Sequence, residues 1–265
     1  MPGPLVSVPV TIMRLLGLRI AIRWLNCGLR RLVAFTHMIQ YGLDWGARPR
    51  PEWYDHFIDQ YWQWRARRLP YGWERGIFNL LAMKPDAEVL ELCCGDGFNA
   101  YHFYSIRARR IVSLDFDPRA IRHAKRNHRA KNVEFVVGDV RTAMPPGPFD
   151  HVVWDAAIEH FTEAEIADLM AQIRRRLKPA GMLSGYTIVE GEHLSHEEHE
   201  YEFKSKQDLL RFLEPWFANV LVFETVYPGR HNLYFYASDG PLPFDEGWLA
   251  KVESKRASGK AGIGA

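Results

Sequence analysis

The stretch VLELCCGDGFNA, residues 89–100, decides the architecture. A hydrophobic run with one carboxylate inside it, Glu91, gives way to Gly95-Asp96-Gly97 and then to a new segment that opens on Phe98. That is the signature of a strand, a tight turn and a helix start. Glycine accepts the positive φ that such a turn requires, and the bare N–H groups of a helix start can face a ligand. The same alternation continues outward. RRIVSLDF (109–116), NVEFVVGD (132–139), FDHVVWDA (149–156) and GMLSGYTI (181–188) read as strands. Between them lie predicted helices over 98–107, over 118–127 with Pro118 in the first turn, and over 162–179 with Thr162 and Glu165 as a capping box. A helix over 205–213 precedes ANVLVFETVY (218–227) and HNLYFYAS (231–238), two β-rich runs joined by Pro228-Gly229-Arg230. The pattern predicts an α/β fold: a doubly wound, mostly parallel sheet with an antiparallel C-terminal edge hairpin.

Upstream, the chain is a different chemical object. The 265 residues sum to a formal charge of +2, yet residues 1–50 carry seven Arg against the single acid Asp44, and the remainder is net acidic. Residues 12–40 read as a helical extension bent near Gly17 and Gly28, its arginines on several faces, suited to peripheral membrane contact or to capping an apolar pocket. The expected organisation is an extension over 1–50, a helical cap over 51–83 that includes a helix over 72–83, a core domain over 84–240 and a tail over 241–265. GARPRP (46–51) reads as a linker. Trp53, Phe57, Tyr61 and Trp64 recur at helical spacing, as core packing or as a stacking wall beside a site.

Several classes are excluded. Arg14, Arg19, Arg23, Arg30 and Arg31 interrupt the N-terminal apolar stretch and argue against a membrane span; the lack of a basic start argues against a signal peptide. Three cysteines, two of them adjacent at 93 and 94, make no disulfide framework and no zinc spacing, which favours a reducing cytoplasmic setting.

The glycine turn alone leaves the ligand open. Gly95-x-Gly97-x-x-Ala100 also fits a loose dinucleotide fingerprint, and Asp115, twenty residues after Gly95, is placed to accept from ribose hydroxyls, so NAD, FAD and adenosyl ligands all remain. Glu91 and Asp96 are poor company for a pyrophosphate but suit a sulfonium and an ammonium group. Gly138-Asp139-Val140 closes the third strand where an adenine amine would bind, with Phe116 against the adenine face. These segments resemble the class I S-adenosylmethionine-dependent methyltransferases over roughly residues 73–238. Glu91–Gly97 is similar to the acidic-strand glycine motif of that family, Asp115 to its ribose acid, Asp139-Val140 to its adenine site, FDHVVWDAAIEHF (149–161) to its fourth-strand motif and LKPAGML (177–183) to its turn into the fifth strand. Cys93 stands where the family often has Gly, which predicts altered contacts near the methionine end of the ligand.

The resemblance implies a Rossmann-like fold that binds S-adenosyl-L-methionine and releases S-adenosyl-L-homocysteine. The expected cofactor residues are Glu91, Cys93, Gly95, Gly97, Asp115, Phe116, Asp139, Val140 and Trp154. The expected catalytic residues are His160, after the fourth strand; Asp155, at its end; and His231, opening the last strand beside Arg230. Tyr101 and His102 are placed near the cofactor as well. His193, His196 and His199, three apart among glutamates, read as a solvated loop over the substrate mouth rather than a metal site, so no metal is expected. The acceptor is expected to be oxygen or nitrogen of a small, aromatic or amphipathic molecule, on a monomer or homodimer. An acidic body without a recognition module argues against nucleic acid. RNA or protein methylation, a nicotinamide oxidoreductase and a non-catalytic adenosyl-binding protein remain alternatives.

Overall fold

A computed structural model describes residues 19–46, 55–189, 198–228 and 230–244. The chain divides into two compact units, residues 1–49 and 50–265. In the first, the described residues form one helix, α1 (Arg19–Gly46). It runs through Gly28 without a break, because a single glycine lowers helix propensity but keeps its backbone hydrogen bonds. The predicted bend at Gly17 lies outside the described residues, as does the predicted linker 46–51 except for Gly46, which is the last residue of α1.

The second unit opens with α2 (His56–Trp62), which runs on as a π-helical turn over Gln63–Arg67, and α3 (Tyr71–Ala82). The alternating core follows: β1 (Glu88–Leu92), α4 (Phe98–His102), β2 (Arg110–Asp115), α5 (Pro118–Asn127), β3 (Val133–Val137), α6 (Val140–Ala143), β4 (Phe149–Asp155), α7 (Glu163–Arg176), β5 (Leu177–Ile188), α8 (Lys206–Leu213), β6 (Asn219–Tyr227) and β7 (Arg230–Ser238). The seven strands lie in the order β3-β2-β1-β4-β5-β7-β6. The first five pair in parallel, while β7 inserts antiparallel between β5 and β6. This is the doubly wound sheet with an antiparallel edge hairpin. The order reverses beside β1, which places a crevice at the carboxyl ends of β1, β2 and β4.

Local chemistry fixes the elements. Asp117 caps α5 by accepting from Arg119 N at 2.7 Å, with Pro118 as first residue. Thr162 and Glu165 close the capping box of α7: Glu165 N donates to Thr162 Oγ1 at 3.3 Å and Thr162 N to Glu165 Oε2 at 3.0 Å. The predicted helix over 162–179 ends earlier, at Arg176, and Leu177 already pairs with Phe149 as strand. The Arg176 guanidinium holds that junction, donating to the carbonyls of Met144, Pro145 and Gln172. Arg174 binds Asp239, so two arginines of the basic run at 174–176 are structural.

Each sheet face is buried. Leu90, Leu92, Leu114, Val152, Trp154 and Phe235 pack against Ile166, Leu169, Met170 and Ile173 of α7 and Leu209 and Leu213 of α8. Val89, Ile111 and Val153 pack on the other side against Phe98 of α4 and Ile121 and Ala124 of α5. Removing each such large side chain from water contributes about 1.5–3 kcal/mol. Helix α3 is tied to the edge hairpin through Glu74, whose carboxylate accepts from Thr225 Oγ1 at 3.0 Å, Tyr234 OH at 2.8 Å and the Tyr227 hydroxyl. The aromatic stripe is not core: Phe57 and Trp64 are exposed, Tyr61 is half-buried, and Trp53 lies outside the described residues.

The tightest crossing in the sheet is at Gly185, where an added Cβ would fall 1.9 Å from the Trp154 carbonyl oxygen and 2.4 Å from the Phe235 ring. Gly185→Ala is expected to lower stability by about 1–3 kcal/mol through overpacking, read as a lower urea midpoint at unchanged slope. An unchanged midpoint would contradict this packing.

Candidate active site

The carboxyl ends of β1, β2, β3 and β4 converge on a cavity of about 340 Å³, a size typical of small-molecule sites, which run from about 300 to 1,000 Å³. Its floor is the turn after β1. Cys93, Gly95 and Gly97 all adopt left-handed backbone, with φ of 54°, 56° and 71°. At Gly95 it is the positive φ, rather than lack of space, that calls for glycine, since a Cβ there would make only ordinary contact with His56 Cε1 at 3.4 Å. Gly97 faces away from the cavity, where a Cβ would lie 2.3 Å from the Phe135 ring. The turn needs Gly97 so that α4 can pack closely on β3 and α5.

Asp115, at the end of β2, holds this turn in place. Its Oδ2 accepts from Gly95 N at 2.8 Å and its Oδ1 from Asp117 N at 2.8 Å. A carboxylate offers about four lone-pair sites, so these bonds orient both oxygens and leave capacity on each. Burial pushes the Asp115 pKa up, against the lowering effect of the two backbone N–H groups. Phe116, the next residue, presents an exposed ring to the cavity. Glu91 is buried, accepts from Ser113 Oγ at 2.7 Å and has its pKa pushed up to about 8, mainly by burial and further by Asp155 and Asp96.

Asp155 ends β4 as the hub of a buried polar network. It accepts from Arg75 Nε at 2.7 Å, Asn79 Nδ2 at 3.2 Å and Asn99 Nδ2 at 3.3 Å. The chain continues inward: Ser184 Oγ donates to Asn79 Oδ1 at 2.5 Å, and His151 Nε2 lies 2.7 Å from Ser184 Oγ. Burial holds the His151 pKa at about 3, so this histidine is a neutral donor to Ser184. With its carboxylate bonded to all these donors, Asp155 positions α3 over the cavity.

His56 anchors α2 to the glycine turn. Its backbone N donates to Asp96 Oδ2 at 2.8 Å and its Nδ1 lies 2.9 Å from Asp96 Oδ1. Burial alone would lower the His56 pKa, but the Asp96 carboxylate outweighs it and the net shift is upward; burial would raise Asp96, and His56 reverses that to a net lowering. At the opposite rim, His160 is exposed, with Nδ1 3.0 Å from the Glu198 carbonyl oxygen and its ring 4.9 Å from that of His199. In the neutral ring the Nδ1 proton goes to that carbonyl and Nε2 carries the basic lone pair.

Of the residues expected from sequence, Glu91, Cys93, Gly95, Asp115, Phe116, Asp139, Val140, Asp155 and His160 line the one cavity. Three do not. Gly97 packs on Phe135, and Trp154 is fully buried against Phe161 because the strand alternation turns it to the sheet face opposite its buried neighbours Val153 and Asp155. His231 sits on β7, beyond β5, near Glu224 at 3.4 Å, since the antiparallel insertion carries it two strands away from β4. Arg230 is engaged by Asn232 and the Tyr186 hydroxyl, and Tyr101 and His102 pack around His128. Tyr201 OH lies 2.6 Å from Asp208, away from the cavity. His193 and His196 lie outside the described residues. Burial, reinforced by Asp115 and Asp139, drives the Cys93 thiol pKa far upward, which opposes thiolate formation.

Sequence reasoning missed His56, Arg75, Asn79 and Asn99. Arg75 and Asn79, at i and i+4 on the otherwise apolar face of α3, were the available signal. Asp139 differs from its expected freedom: its carboxylate accepts a fork from Arg141 Nε at 3.0 Å and Nη2 at 2.7 Å, as well as Arg141 N at 2.9 Å. Among the described residues, two groups bring ligand-type atoms within 4.8 Å of one another, Asp96 with His123 and His128, and Glu159 with His160 and His199. Their acceptors are already engaged: Asp96 by His56 and Phe98 N, and Glu159 Oε2 by Thr187 Oγ1 at 2.9 Å.

The residues fit an adenosyl sulfonium ligand. The turn is open above Gly95, Asp115 retains acceptor capacity, and the cationic side chains Arg75 and Arg141 are each paired with a carboxylate, so no arginine is set aside for a pyrophosphate. Comparison with known proteins agrees. Residues 89–181 match the family model described as methyltransferase domain. The chain is 32% identical over 125 residues to the uncharacterized methyltransferase sll0829 of Synechocystis sp., covering 45% of this chain and 58% of that protein. It is 31% identical over 111 residues to the protein-L-isoaspartate O-methyltransferase of Pyrococcus horikoshii, 40% of this chain and 47% of that protein. A further match is the ribosomal protein L11 methyltransferase of Burkholderia ambifaria, 27% identical over 103 residues, 39% of this chain and 32% of that protein. The matched part thus spans less than two thirds of each relative. Among solved structures, the DhpI–SAH complex superimposes with TM-score 0.55 at 22% identity, covering 69% of this chain and 91% of that one, and the N-methyltransferase NodS of Bradyrhizobium japonicum with TM-score 0.54 at 16% identity, covering 65% and 98%.

The His56–Asp96 pair has a pH signature. A raised His56 contributes stability that is full below its ordinary pKa of about 6.5 and lost as pH rises through its folded value, and a lowered Asp96 contributes above about 3.9 and is lost as pH falls through its folded value. His56→Ala is therefore expected to lower the melting temperature most near pH 5–6 and least above pH 8. A penalty that grows from pH 5.5 to pH 8 would contradict the pairing.

Proposed function

We propose that the chain is a class I S-adenosylmethionine-dependent methyltransferase, which transfers a methyl group from S-adenosyl-L-methionine to oxygen or nitrogen of a small, aromatic or amphipathic acceptor and releases S-adenosyl-L-homocysteine; the match of residues 89–181 to the methyltransferase-domain model supports this reading. The observation that carries this reading is the Asp115 carboxylate, pinned by Gly95 N and Asp117 N at the mouth of a cavity whose lining is rich in carboxylates. When bound, the cofactor supplies an electrophilic methyl group. Asp115 holds the ribose hydroxyls, Phe116 covers one face of the adenine, and the Gly138–Val140 edge meets its rim. Glu91 and the narrow Cys93 turn hold the methionine end. Glu91 is largely neutral at pH 7 in the free protein, and a cation beside it favours its ionised form.

His160 is the proposed base: its Nδ1 proton is committed to the Glu198 carbonyl, which aims Nε2 as proton acceptor for a hydroxyl or protonated amine. Asp155 is a positioning residue, since its oxygens already serve Arg75, Asn79 and Asn99. Phe161 in the lining supports an acceptor with an apolar part. The named acceptors of the relatives, a ribosomal protein and an isoaspartyl residue, differ from each other, so the shared domain carries no acceptor identity.

Titration with S-adenosylhomocysteine tests the binding half. Wild type is expected to bind, and Asp115→Ala to bind at least about tenfold more weakly, the cost of losing charge-assisted hydrogen bonds of about 1.5–3 kcal/mol. Binding of NADH without S-adenosylhomocysteine would overturn the reading. Transfer of labelled methyl to a panel of phenols, amines and amphipathic acids tests the catalytic half. On whichever acceptor turns over, His160→Ala is expected to reduce kcat by about 10²–10⁴ with the S-adenosylhomocysteine Kd unchanged. Cofactor binding with no acceptor methylated favours a non-catalytic adenosyl-binding protein.

A further inference from the structure

Helix α1 is a rod of 28 residues, about 42 Å long at 1.5 Å per residue. Its large apolar side chains are almost all exposed, with Trp24 at 73% and Leu43 at 69%. At about 100° per residue, Trp24, Leu25, Leu32, Phe35, Ile39 and Leu43 fall within one continuous arc of the helix, while Arg23 and Arg30 lie on the opposite side and Arg31 beside Trp24 at the boundary. The helix carries no acid before Asp44. Arg23 and Arg30 thus share the face opposite the arc, while Arg31 stands roughly 80–100° away from them at its border. None of the described helices is long and apolar enough to cross a membrane.

We propose that α1 is an in-plane membrane anchor that docks on an anionic lipid surface, its apolar arc at the headgroup–acyl boundary and its arginines on lipid phosphates. Three features on this helix select that occupant. With Leu29 and Val33, also exposed, the apolar arc extends over roughly half the circumference, broader than the two-in-seven seam of a helix pair. A tryptophan and an arginine sit together at its border, as suits an amphipathic ring and a snorkelling cation at an interface. The polar flank is cationic without acids, so two copies of this helix side by side would repel, whereas an anionic leaflet attracts it. The proposal is independent of the methyl-transfer reading, because the cavity residues belong to the other unit of the chain.

The test is co-sedimentation of the full-length chain with vesicles of phosphatidylcholine alone or with roughly one third phosphatidylglycerol, alongside sizing chromatography and S-adenosylhomocysteine titration. Wild type is expected to pellet with the anionic vesicles at least about tenfold more strongly than with the neutral ones, and to be released by high salt. Leu32→Glu with Phe35→Glu should abolish pelleting, and Arg30→Glu with Arg31→Glu should remove the preference for anionic lipid. Both double variants carry changes at exposed positions and should keep wild-type S-adenosylhomocysteine affinity, which separates loss of docking from loss of fold. Equal recovery of wild type in the supernatant with both vesicles overturns the proposal. So does pelleting that the Leu32/Phe35 variant leaves intact, or a dimer in solution that this variant dissolves, which would assign the face to a second copy of the chain.

Discussion

Two backbone N–H groups, from Gly95 and Asp117, converge on one carboxylate, and the rest of the site is built around that convergence. Asp115 stands at the end of β2 and the glycine turn at the end of the adjacent parallel strand β1, so the bond from Gly95 spans the crevice opened where the strand order reverses. The turn it holds is costly. Cys93, a residue with a Cβ, takes φ of 54°, and Ala156 after β4 takes 53°, each at an expense of about 1–2 kcal/mol. Neighbouring backbone bonds offset that strain: Cys94 N donates to Leu114 O at 2.9 Å, and Ala156 N to Tyr186 O at 2.8 Å. The two strained residues both line the cavity, which is where such conformations persist when the surroundings over-determine them.

Charge in the cavity is arranged by the same logic. Arg75 is committed to Asp155, Arg141 to Asp139 and Glu165, and His56 to Asp96. These pairs take the cations out of play for an anionic ligand while holding α2 and α3 to the carboxyl ends of β1 and β4 and α6 to α7. Glu91 and Asp115 remain as buried carboxylates whose pKa values burial raises, Glu91 to about 8. A cationic ligand beside them attracts their ionised forms and so opposes the effect of burial, which prepares the site electrostatically for a sulfonium rather than a phosphate.

Much of this was legible in the sequence because it rests on local rules. The strand–turn–helix at 89–100, the Pro118 start, the Thr162–Glu165 box and the terminal hairpin each have a short-range physical cause, and each lies where the periodicity placed it. The cavity residues Glu91, Cys93, Gly95, Asp115 and Phe116 follow from the same motif. What the sequence hid depends on packing between distant segments. His56 reaches Asp96 across forty residues and Asn79 reaches Asp155 across seventy-six, and no spacing announces either. His231 was misplaced because the antiparallel insertion of β7 is a decision of the whole sheet. Trp154 was misassigned because strand alternation, correctly applied, puts it opposite Asp155 and Val153. The amphipathic order of α1 emerged only once Gly28 was seen to continue the helix.

The most direct test of the account is an experimental structure with S-adenosylhomocysteine bound. The account predicts the ribose hydroxyls within hydrogen-bond distance of the Asp115 carboxylate, with Gly95 N and Asp117 N still bonded to it and the sulfur on the side of the cavity bordered by Glu91 and His160. A ligand whose ribose lies away from Asp115, or a turn that releases Gly95 to admit it, would contradict it.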